Sequence, residues 1–259
     1  MKSFAMKLRD KVAIVTGSSR GIGEGIARVF SREGAKVVVA CRTEEAGLKM
    51  AEELGVSKGR ATFIKTDVTS SQSIQNMINR TIETFAKLDI LVNNAGYHIS
   101  KSVEDISEQE WEFLINTNLR STFLCSKYAI PHLRRTRGNI INISSMVGLV
   151  GQPNAGAYTA TKGGQIAMSK GMAIDLAPDG IRVNVICPGW IQTPLVDDWF
   201  NQQDDPEAWR KYVFKQHPVG RIGTIEECGR AALFLACDED SSFITGITLN
   251  VEGGITLGY

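Results

Sequence analysis

The sequence predicts an α/β domain built on a doubly wound parallel sheet of about seven strands, with helices on both faces. Short β-branched runs alternate along the chain with longer segments whose apolar residues recur at helical spacing. No internal repeat, low-complexity tract or Pro/Ser-rich linker interrupts this alternation over the 259 residues. We therefore expect residues 1–259 to form a single domain.

The first helix illustrates the helical pattern. Ile22, Ile26 and Phe30 lie at i, i+4 and i+8, which places them on one face that can pack against a sheet. The predicted strands are 12–15, 36–40, 61–65, 90–92, 139–143, 182–186 and 248–251. The other predicted helices are 44–54, 70–85, 107–133, 158–176 and 225–236.

The late segment 193–221 departs from the alternating pattern. Asp204, Asp205 and Pro206 interrupt any continuous helix within it. A long irregular segment in a compact α/β domain is commonly a lid or a substrate loop, and we expect one here.

The composition excludes several classes of protein. Lys and Arg number 29 against 28 for Asp and Glu, so the formal net charge is +1 and no overall field attracts nucleic acid or an anionic membrane. No stretch approaches the roughly 20 apolar residues that span a bilayer. The first ten residues are too polar for a signal peptide. We expect a cytoplasmic protein without nucleic-acid or membrane partners.

The cysteines and histidines show no pattern of disulfides or metal ligands. The five cysteines lack any C-x-x-C spacing, and their odd number argues against a disulfide framework. The three histidines lie far apart, without the spacing of a metal site. We expect buried free thiols and no metal in the chemistry.

A glycine-rich turn directly follows the first predicted strand and opens the first helix. Glycines here allow a tight turn, and the N-terminus of the helix favours the negative charge of a pyrophosphate. A glycine-rich turn can also occur without a ligand. Two polar segments at the ends of the third and fourth predicted strands favour a ligand, because open α/β sheets bind ligands at the carboxyl ends of their strands. The three segments are Gly17-Ser18-Ser19-Arg20-Gly21-Ile22-Gly23, Asp67-Val68 and Asn93-Asn94-Ala95-Gly96.

The end of the second predicted strand bears on the choice between NAD and NADP. An acidic residue there would bind the adenosine ribose and repel a 2′-phosphate. The sequence has Arg42 instead, and Arg42 with Arg20 can clamp a phosphate. We predict that NADP(H) is preferred and NAD(H) possible; the alternative is that both arginines are solvated surface charges.

Tyr158 and Lys162 lie four residues apart on a predicted helix, and Ser145 follows the fifth predicted strand 13 positions before Tyr158. The spacing places the tyrosine and lysine on one helix face, so the ammonium can approach the phenol oxygen. Free tyrosine titrates near pH ~10, and a neighbouring cation stabilises its phenolate. A Tyr-x-x-x-Lys pair alone is common on exposed helices, so its position after Ser145 and a complete nucleotide-binding half is what favours a role in proton transfer.

Taken in order, these motifs resemble those of the short-chain dehydrogenase/reductase family. The resemblance extends from Lys11-Val12 to Gly253-Gly254. It implies a Rossmann-type fold and an NAD(P)-dependent oxidoreductase that interconverts an alcohol and a carbonyl by hydride transfer. The residues that carry it are Thr16, Gly17, Gly21, Gly23, Asn93-Asn94-Ala95-Gly96, Asn118 before Leu119, Ser145, Tyr158, Lys162 and Pro188-Gly189.

The resemblance implies a role for each matching residue. Tyr158 would exchange a proton with the substrate oxygen, and Lys162 would bind the nicotinamide ribose and lower the pKa of the tyrosine. Ser145 would hold the substrate oxygen, and Asn118 would anchor a water in the proton relay. The predicted cofactor contacts are Gly17, Ser19, Arg20, Gly21, Ile22, Gly23, Arg42, Asp67, Val68, Asn94, Ala95, Gly96, Tyr158, Lys162, Pro188, Gly189, Ile191 and Thr193.

The substrate-binding side has fewer signals. His98 and Gln152 lie in loops that face the expected nicotinamide position, and both can hydrogen-bond hydroxyls or simply their own backbone. Trp190, Trp199 and Trp209 could stack on a sugar ring or close the lid against the core. Parts of 193–221, the Gly151-Gln152 pair and the ending 253–259 resemble an L-fucose dehydrogenase-like subgroup of the family. These features favour a sugar or polyol dehydrogenase.

Two alternatives remain open at this point. The Ser18-Ser19-Arg20 turn is shared with NADPH-preferring relatives that reduce 3-oxoacyl thioesters, so such a ketone reductase is one alternative. A non-catalytic dinucleotide-binding sensor is the other, although such proteins usually lose the tyrosine or the lysine that this chain keeps.

The resemblance also implies a homotetramer with a small-molecule substrate as its other partner. The two long helices that contain Asn118 and Tyr158, together with the C-terminal segment, would form the contacts. Apolar residues available for such a helix bundle are Phe123, Ile166, Met168 and Met172.

Overall fold

In the computed structural model, which describes residues 6–257, seven strands form a parallel sheet. The predicted fold class, a doubly wound α/β sandwich of Rossmann type, is confirmed. Residues 1–5 and the final pair Gly258 and Tyr259, which belong to the C-terminal ending compared above, lie outside the described residues. The strands are β1 (Val12–Thr16), β2 (Lys36–Cys41), β3 (Ala61–Lys65), β4 (Ile90–Asn93), β5 (Asn139–Ile143), β6 (Arg182–Pro188) and β7 (Thr248–Val251).

The strand order is β3-β2-β1-β4-β5-β6-β7, and every neighbouring pair is parallel. The chain winds outward in one direction from β1 to β3, then returns to the centre and continues from β4 to β7. The order therefore reverses between β1 and β4, and their carboxyl ends, at Thr16 and Asn93, border the crevice expected at such a reversal. Open α/β sheets bind ligands at such a switch point.

Helices cover both faces of the sheet. On one face Val15 of β1 packs with Ile26 and Phe30, and on the other Ile14 packs with Ile78 and Leu133. The alternation along β1 reflects the two-residue period of a strand. The helices are α1 (Gly21–Arg32), α2 (Glu44–Leu54), α3 (Ser71–Phe85), α4 (Glu108–Leu114), α5 (Ser121–Thr136), α6 (Gly156–Leu176), α7 (Pro194–Asn201), α8 (Pro206–Lys215), α9 (Ile225–Ala236) and α10 (Asp238–Ser241).

The predicted helix 107–133 is interrupted in the structure. It begins with α4, where Ser107 and Glu110 form a capping box, and continues as α5, but a π-helical segment, Ile115–Arg120, separates the two. The wider turn brings Thr117 and Asn118 into the interior. The hydroxyls of Ser121 and Thr122 donate to the carbonyls of Thr117 and Asn118, which satisfies these backbone groups inside the wider turn.

The segment 193–221 contains two helices rather than an irregular loop. The predicted interruption is present, because α7 ends at Asn201 and α8 begins at Pro206. Proline has no backbone N–H, and none is needed at the first helical position. Asp205 caps α8 by accepting from the backbone N–H of Ala208 at 3.0 Å. A small core of Phe200, Val213 and Ile222 holds the two helices together.

Two expectations about side-chain burial had different outcomes. All five cysteines are buried free thiols, as predicted. Of the residues expected on a helix-bundle surface, Phe123 is 48% exposed, whereas Ile166 is only 7% exposed and packs against Val185 and Cys187. The expectation for Ile166 was therefore wrong, because this face of α6 packs against the sheet of the same chain. Met168 and Met172 are half-buried.

Candidate active site

The glycine-rich turn between β1 and α1 has the shape of a phosphate cradle. Gly17 has a backbone φ of 66°, in the left-handed region that favours glycine. A Cβ at Gly23 would lie 2.5 Å from the carbonyl oxygen of Gly17 and 2.4 Å from Nδ2 of Asn94, so there is no room for a side chain. No side chain caps the first turn of α1, so its backbone N–H groups can receive an anion.

The turn after β4 is fastened to the turn after β1. The hydroxyl of Thr16 accepts from the backbone N–H groups of Asn94 and Ala95, each at 3.0 Å. The amide of Asn94 donates to the carbonyl oxygens of Thr16 at 2.8 Å and of Gly17 at 3.3 Å. The two sides of the crevice are therefore held in a fixed relation, and Asn94 shapes the cradle from its own strand.

The turns after β1 and β2 each carry an exposed guanidinium group. Arg20 precedes α1 and Arg42 follows β2, and no carboxylate within residues 6–257 pairs with either. Asp67, after β3, accepts from the backbone N–H and the hydroxyl of Thr69. Val68 beside it is buried. The residues present fit a dinucleotide, with a pyrophosphate site at the turn and free positive charge beyond it.

Ser145, Tyr158 and Lys162 meet at the carboxyl end of β5. Lys162 Nζ lies 5.6 Å from the centre of the Tyr158 ring, one turn along α6. Burial raises the pKa of Tyr158 to about 12, an effect that the Ser145 hydroxyl partly offsets. Burial also lowers the pKa of Lys162 to about 8. The Lys162 ammonium donates to the carbonyl oxygen of Ile143 at 2.9 Å and to Oε1 of Gln165 at 3.1 Å.

The side chain of Asn118 joins the loop after β4 to α6. Its Oδ1 accepts from the backbone N–H of Tyr97 at 2.8 Å, and its Nδ2 donates to the Tyr97 carbonyl and to the hydroxyl of Thr161. Its backbone carbonyl accepts from Thr122 and Gln165. Asn118 is thus engaged through both its side chain and its backbone, and its role as an anchor for a water stays a prediction.

A cavity of about 830 Å³ opens beside Tyr158. His98 contacts Tyr158 edge-on, with ring centres 4.6 Å apart, and burial lowers the pKa of His98. Trp199 packs against Trp190 with ring centres 5.0 Å apart. The predicted residues that line this cavity are Ile22, His98, Ser145, Gln152, Tyr158, Pro188, Gly189, Trp190, Ile191, Thr193 and Trp199.

The segment after β6 connects the cavity to the phosphate cradle. The backbone N–H of Gly189 donates to the carbonyl oxygen of Val251, and Ile191 pairs with Gly223 in a short bridge. Thr193 caps α7, and its methyl group lies 3.5 Å from the position that a Cβ on Gly21 would take. One segment therefore borders the cradle at Thr193 and the cavity at Trp199.

The sequence predictions missed several residues at the site. Tyr212 and Gln216 of the segment 193–221 also line the cavity, as does Thr256 near the C-terminus. Trp209, expected as a stacking or lid residue, lines it as well. The most informative omission is Gln165, which touches both Lys162 and Asn118. A signal was available for Gln165, because a residue three positions after Lys162 lies on the same face of a helix.

Comparisons with known proteins agree with this geometry. A family model described as "Enoyl-(Acyl carrier protein) reductase" matches residues 17–256. An L-fucose dehydrogenase of Bos taurus is 43% identical over 258 residues, which cover 99% of this chain and 93% of the relative. That of Mus musculus is 44% identical over 250 residues, covering 96% and 89%. A meso-2,3-butanediol dehydrogenase of Serratia marcescens is 37% identical over 251 residues, covering 97% and 96%.

The matches extend over nearly the whole chain and include both halves of the site, the cradle after β1 and the Ser145, Tyr158 and Lys162 group. Among residues 6–257 no helix has the length and apolar character needed to cross a membrane, and no group of potential ligands could hold a metal ion. The chain belongs to the short-chain dehydrogenase/reductase family and is an oxidoreductase that acts on CH–OH groups with a nicotinamide dinucleotide.

Proposed function

We propose that the chain is a sugar or polyol dehydrogenase that prefers NADP(H). The observation that carries the proposal is the composition of the cavity beside Tyr158. Ser145, His98 and Gln152 offer polar groups there, while Trp199 and Trp209 form an aromatic wall. A sugar has hydroxyls on its rim and an apolar face of C–H bonds, so both kinds of surface suit it.

The cofactor would lie along the switch point, where Gly17, Gly21 and Gly23 leave space for the pyrophosphate and the N-terminus of α1 favours its charge. When bound, the nicotinamide dinucleotide accepts or supplies the hydride. The other residues that would hold it are Ser19, Arg20, Ile22, Arg42, Asp67, Val68, Asn94, Ala95, Gly96, Tyr158, Lys162, Pro188, Gly189, Ile191 and Thr193.

Tyr158 would take the proton from the substrate hydroxyl in oxidation and return it in reduction. With a pKa of about 12, the phenol alone is too weak an acid to form the phenolate near pH 7. The Lys162 ammonium, which keeps its proton below its pKa of about 8, supplies the positive charge that favours phenolate. Ser145 would hold the substrate oxygen beside the phenol, and Asn118 would anchor the water of the proton relay.

His98 is suited to recognise a hydroxyl. Its lowered pKa keeps the imidazole neutral near pH 7, so the ring has one N–H donor and one acceptor. A hydroxyl can use both. Gln152 on the same wall also has a donor and an acceptor in its amide. The names of the relatives, an L-fucose dehydrogenase and a butanediol dehydrogenase, refer to hydroxylated substrates and support this assignment.

A second candidate function is reduction of a 3-oxoacyl thioester or another ketone. The cavity also includes Val150 and Leu195, which are exposed apolar residues that could receive an acyl chain. The matching family model is described as "Enoyl-(Acyl carrier protein) reductase", a name that refers to an acyl substrate. The polar groups beside Tyr158 favour the sugar or polyol, because an acyl chain would leave His98 and Gln152 without partners.

The preference for NADP(H) is proposed from the two guanidinium groups at the adenosine end. Arg42 and Arg20 are both exposed and free of ion pairs within residues 6–257, so a 2′-phosphate would supply the partner they lack. NAD(H) remains possible because neither residue blocks a ribose hydroxyl.

Three further properties belong to the same proposal. Residues 193–221 would act as a lid, since α7 and α8 carry Trp199 and Trp209 over the cavity. A homotetramer would cover exposed apolar residues such as Phe123 and Ile174. A cytoplasmic location is supported by five thiols that are all free.

The test is an assay of absorbance at the reduced-nicotinamide band with NADP or NAD and a panel of aldoses, polyols, steroids and acetoacetyl thioesters. The expected result is turnover of an aldose or polyol with NADP, and none by a Tyr158→Phe control. Activity with the acetoacetyl thioester alone would support the second candidate. Dinucleotide binding without turnover of any compound would indicate a sensor and contradict the proposal.

A further inference from the structure

Gln165 is a fully buried amide in the middle of α6, with an exposed fraction of 0%. Its Oε1 accepts from the Lys162 ammonium at 3.1 Å. Its Nε2 donates to the backbone carbonyl of Asn118 at 3.1 Å and to the hydroxyl of Thr122 at 2.7 Å. One side chain therefore connects the lysine of α6 to the π-helical segment that contains Asn118.

The hydrogen bond from Lys162 to Gln165 is important because Lys162 has few other partners. An ammonium has three N–H donors, and two of them are used, by Ile143 and Gln165. The third is left for a partner on the open side, where Gly96 borders Lys162 Nζ. Without Gln165, a buried cation would keep only one acceptor among its present partners, and burial without partners disfavours the charged form.

We propose that Gln165 is a positioning residue that fixes the Lys162 ammonium against Asn118 and keeps it protonated. The proposal rests on the proposed function, in which Lys162 acts on Tyr158 and on the nicotinamide ribose. An amide is needed because it combines an acceptor for Lys162 with a donor for Asn118. Glutamate would keep the acceptor and lose the donor, and methionine would lose both at similar volume.

The other titratable groups that face Lys162 are few. Tyr158 lies on the same helix, Cys187 faces it from β6, and His98 reaches Tyr158 from the loop after β4. Gly96, which borders Lys162 Nζ, carries no charge, and neither does Asn118, which borders Gly96. With no carboxylate among these groups, the charge of Lys162 is stabilised by neutral acceptors, of which Gln165 is one.

The direction of the effect follows from the hydrogen bond. Loss of the Gln165 acceptor destabilises the ammonium, so the pKa of Lys162 should fall further below its present value of about 8. Replacement of Gln165 by glutamate adds a negative charge beside the ammonium and should raise the pKa of Lys162. In the proposed function the Lys162 ammonium binds the ribose, so the affinity for NADPH should decline as pH rises and the lysine loses its proton. This decline should move to lower pH in Gln165→Met and to higher pH in Gln165→Glu.

The experiment measures the dissociation constant of NADPH from its fluorescence across about pH 6 to 10, for wild type and both variants. We expect the midpoint of the decline to shift downward by about one pH unit in Gln165→Met, which is the scale of a lost hydrogen bond to a charged group. Ser169→Ala is the matched control, because this buried hydroxyl on α6 bonds Asn142 and the Gln165 backbone without touching Lys162. Its midpoint should stay at the wild-type value.

The outcomes separate the two proposals. The role of Gln165 would be overturned if the midpoints of wild type, Gln165→Met and Gln165→Glu coincided. It would also be overturned if Ser169→Ala shifted the midpoint as much as Gln165→Met, because the effect would then be merely structural. If Gln165→Met fails to fold, the upward shift of the midpoint expected in Gln165→Glu still tests the proposal. The NADPH titration needs no substrate, so it can still be interpreted if the sugar and polyol assay fails. Absence of NADPH binding by the wild type would overturn both the proposed function and the role of Gln165.

Discussion

Replacing Gly23 with alanine should weaken both the fold and its hold on the cofactor. The added Cβ would lie 2.5 Å from the Gly17 carbonyl oxygen and 2.4 Å from Asn94 Nδ2, whereas ordinary contact begins at 3.4 Å. Helix α1 and the glycine turn must therefore separate by about 1 Å, because closely packed interiors have no spare space to absorb the methyl group. The Asn94 amide, which bonds Thr16 and Gly17, must move as well.

Overpacking of this kind costs about 1–3 kcal/mol. For a domain of this size that corresponds to a fall in Tm of between about 2 and 12 °C. The same displacement moves the N–H groups of the cradle, so the affinity for NADPH should fall at least about tenfold, which corresponds to a loss of about 1.4 kcal/mol in binding. The two losses share a cause and should appear together.

Thermal melts with and without NADPH, together with a fluorescence titration, measure both effects. Gly171→Ala is the control, because Gly171 lies inside α6 and nothing is within 4 Å of a Cβ built there. That substitution should stabilise the protein by about 0.5–1 kcal/mol through helix propensity alone. A Gly23→Ala variant that melts at the wild-type temperature and binds NADPH with wild-type affinity would refute the close approach described for this turn.

Three other substitutions have definite expected outcomes. Tyr158→Phe should lower kcat by at least about 10²-fold and leave NADPH binding near wild type; a fully active variant would remove Tyr158 from the proton transfer. Arg42→Asp should weaken NADPH binding by about 10- to 100-fold and improve NADH binding, and unchanged affinities in both titrations would contradict the phosphate clamp. His98 has a pKa below its ordinary value, so the unfolded chain takes up the proton first and stability should fall as pH drops below about 6.5. The stability of His98→Asn, measured from melting curves, should fall less with decreasing pH than that of wild type. The same fall in both proteins would show that His98 does not cause it.

The parts of the fold that depend on local sequence were predictable. Strands 139–143 and 248–251 and the helices 44–54 and 225–236 have the predicted bounds, because their hydrophobic periods and turn residues agree with their environment. The same holds for the turn after β1, where a strand, three glycines and a helix follow directly in sequence. The helical period likewise indicated that Tyr158 and Lys162 share a face of α6.

The rest depends on contacts between residues distant in sequence. The π-helical segment at Asn118 is supported by Gln165 and Thr122, and an amphipathic pattern carries no information about such partners. Ile166 was expected to be available for a helix bundle between subunits, but β6 covers it. The two helices of 193–221 pack around Phe200, a small core that turn signals alone do not reveal.

Because all five native thiols are buried, a cysteine introduced on the surface can be labelled selectively. Reagents for thiols react with accessible thiolates, and the native cysteines are all buried, with Cys41 the most exposed at 7%. A cysteine introduced at Leu195, which is 62% exposed at the start of α7, would therefore be the fast-reacting position among residues 6–257. A fluorophore attached there would report directly on whether α7 moves when dinucleotide and alcohol bind.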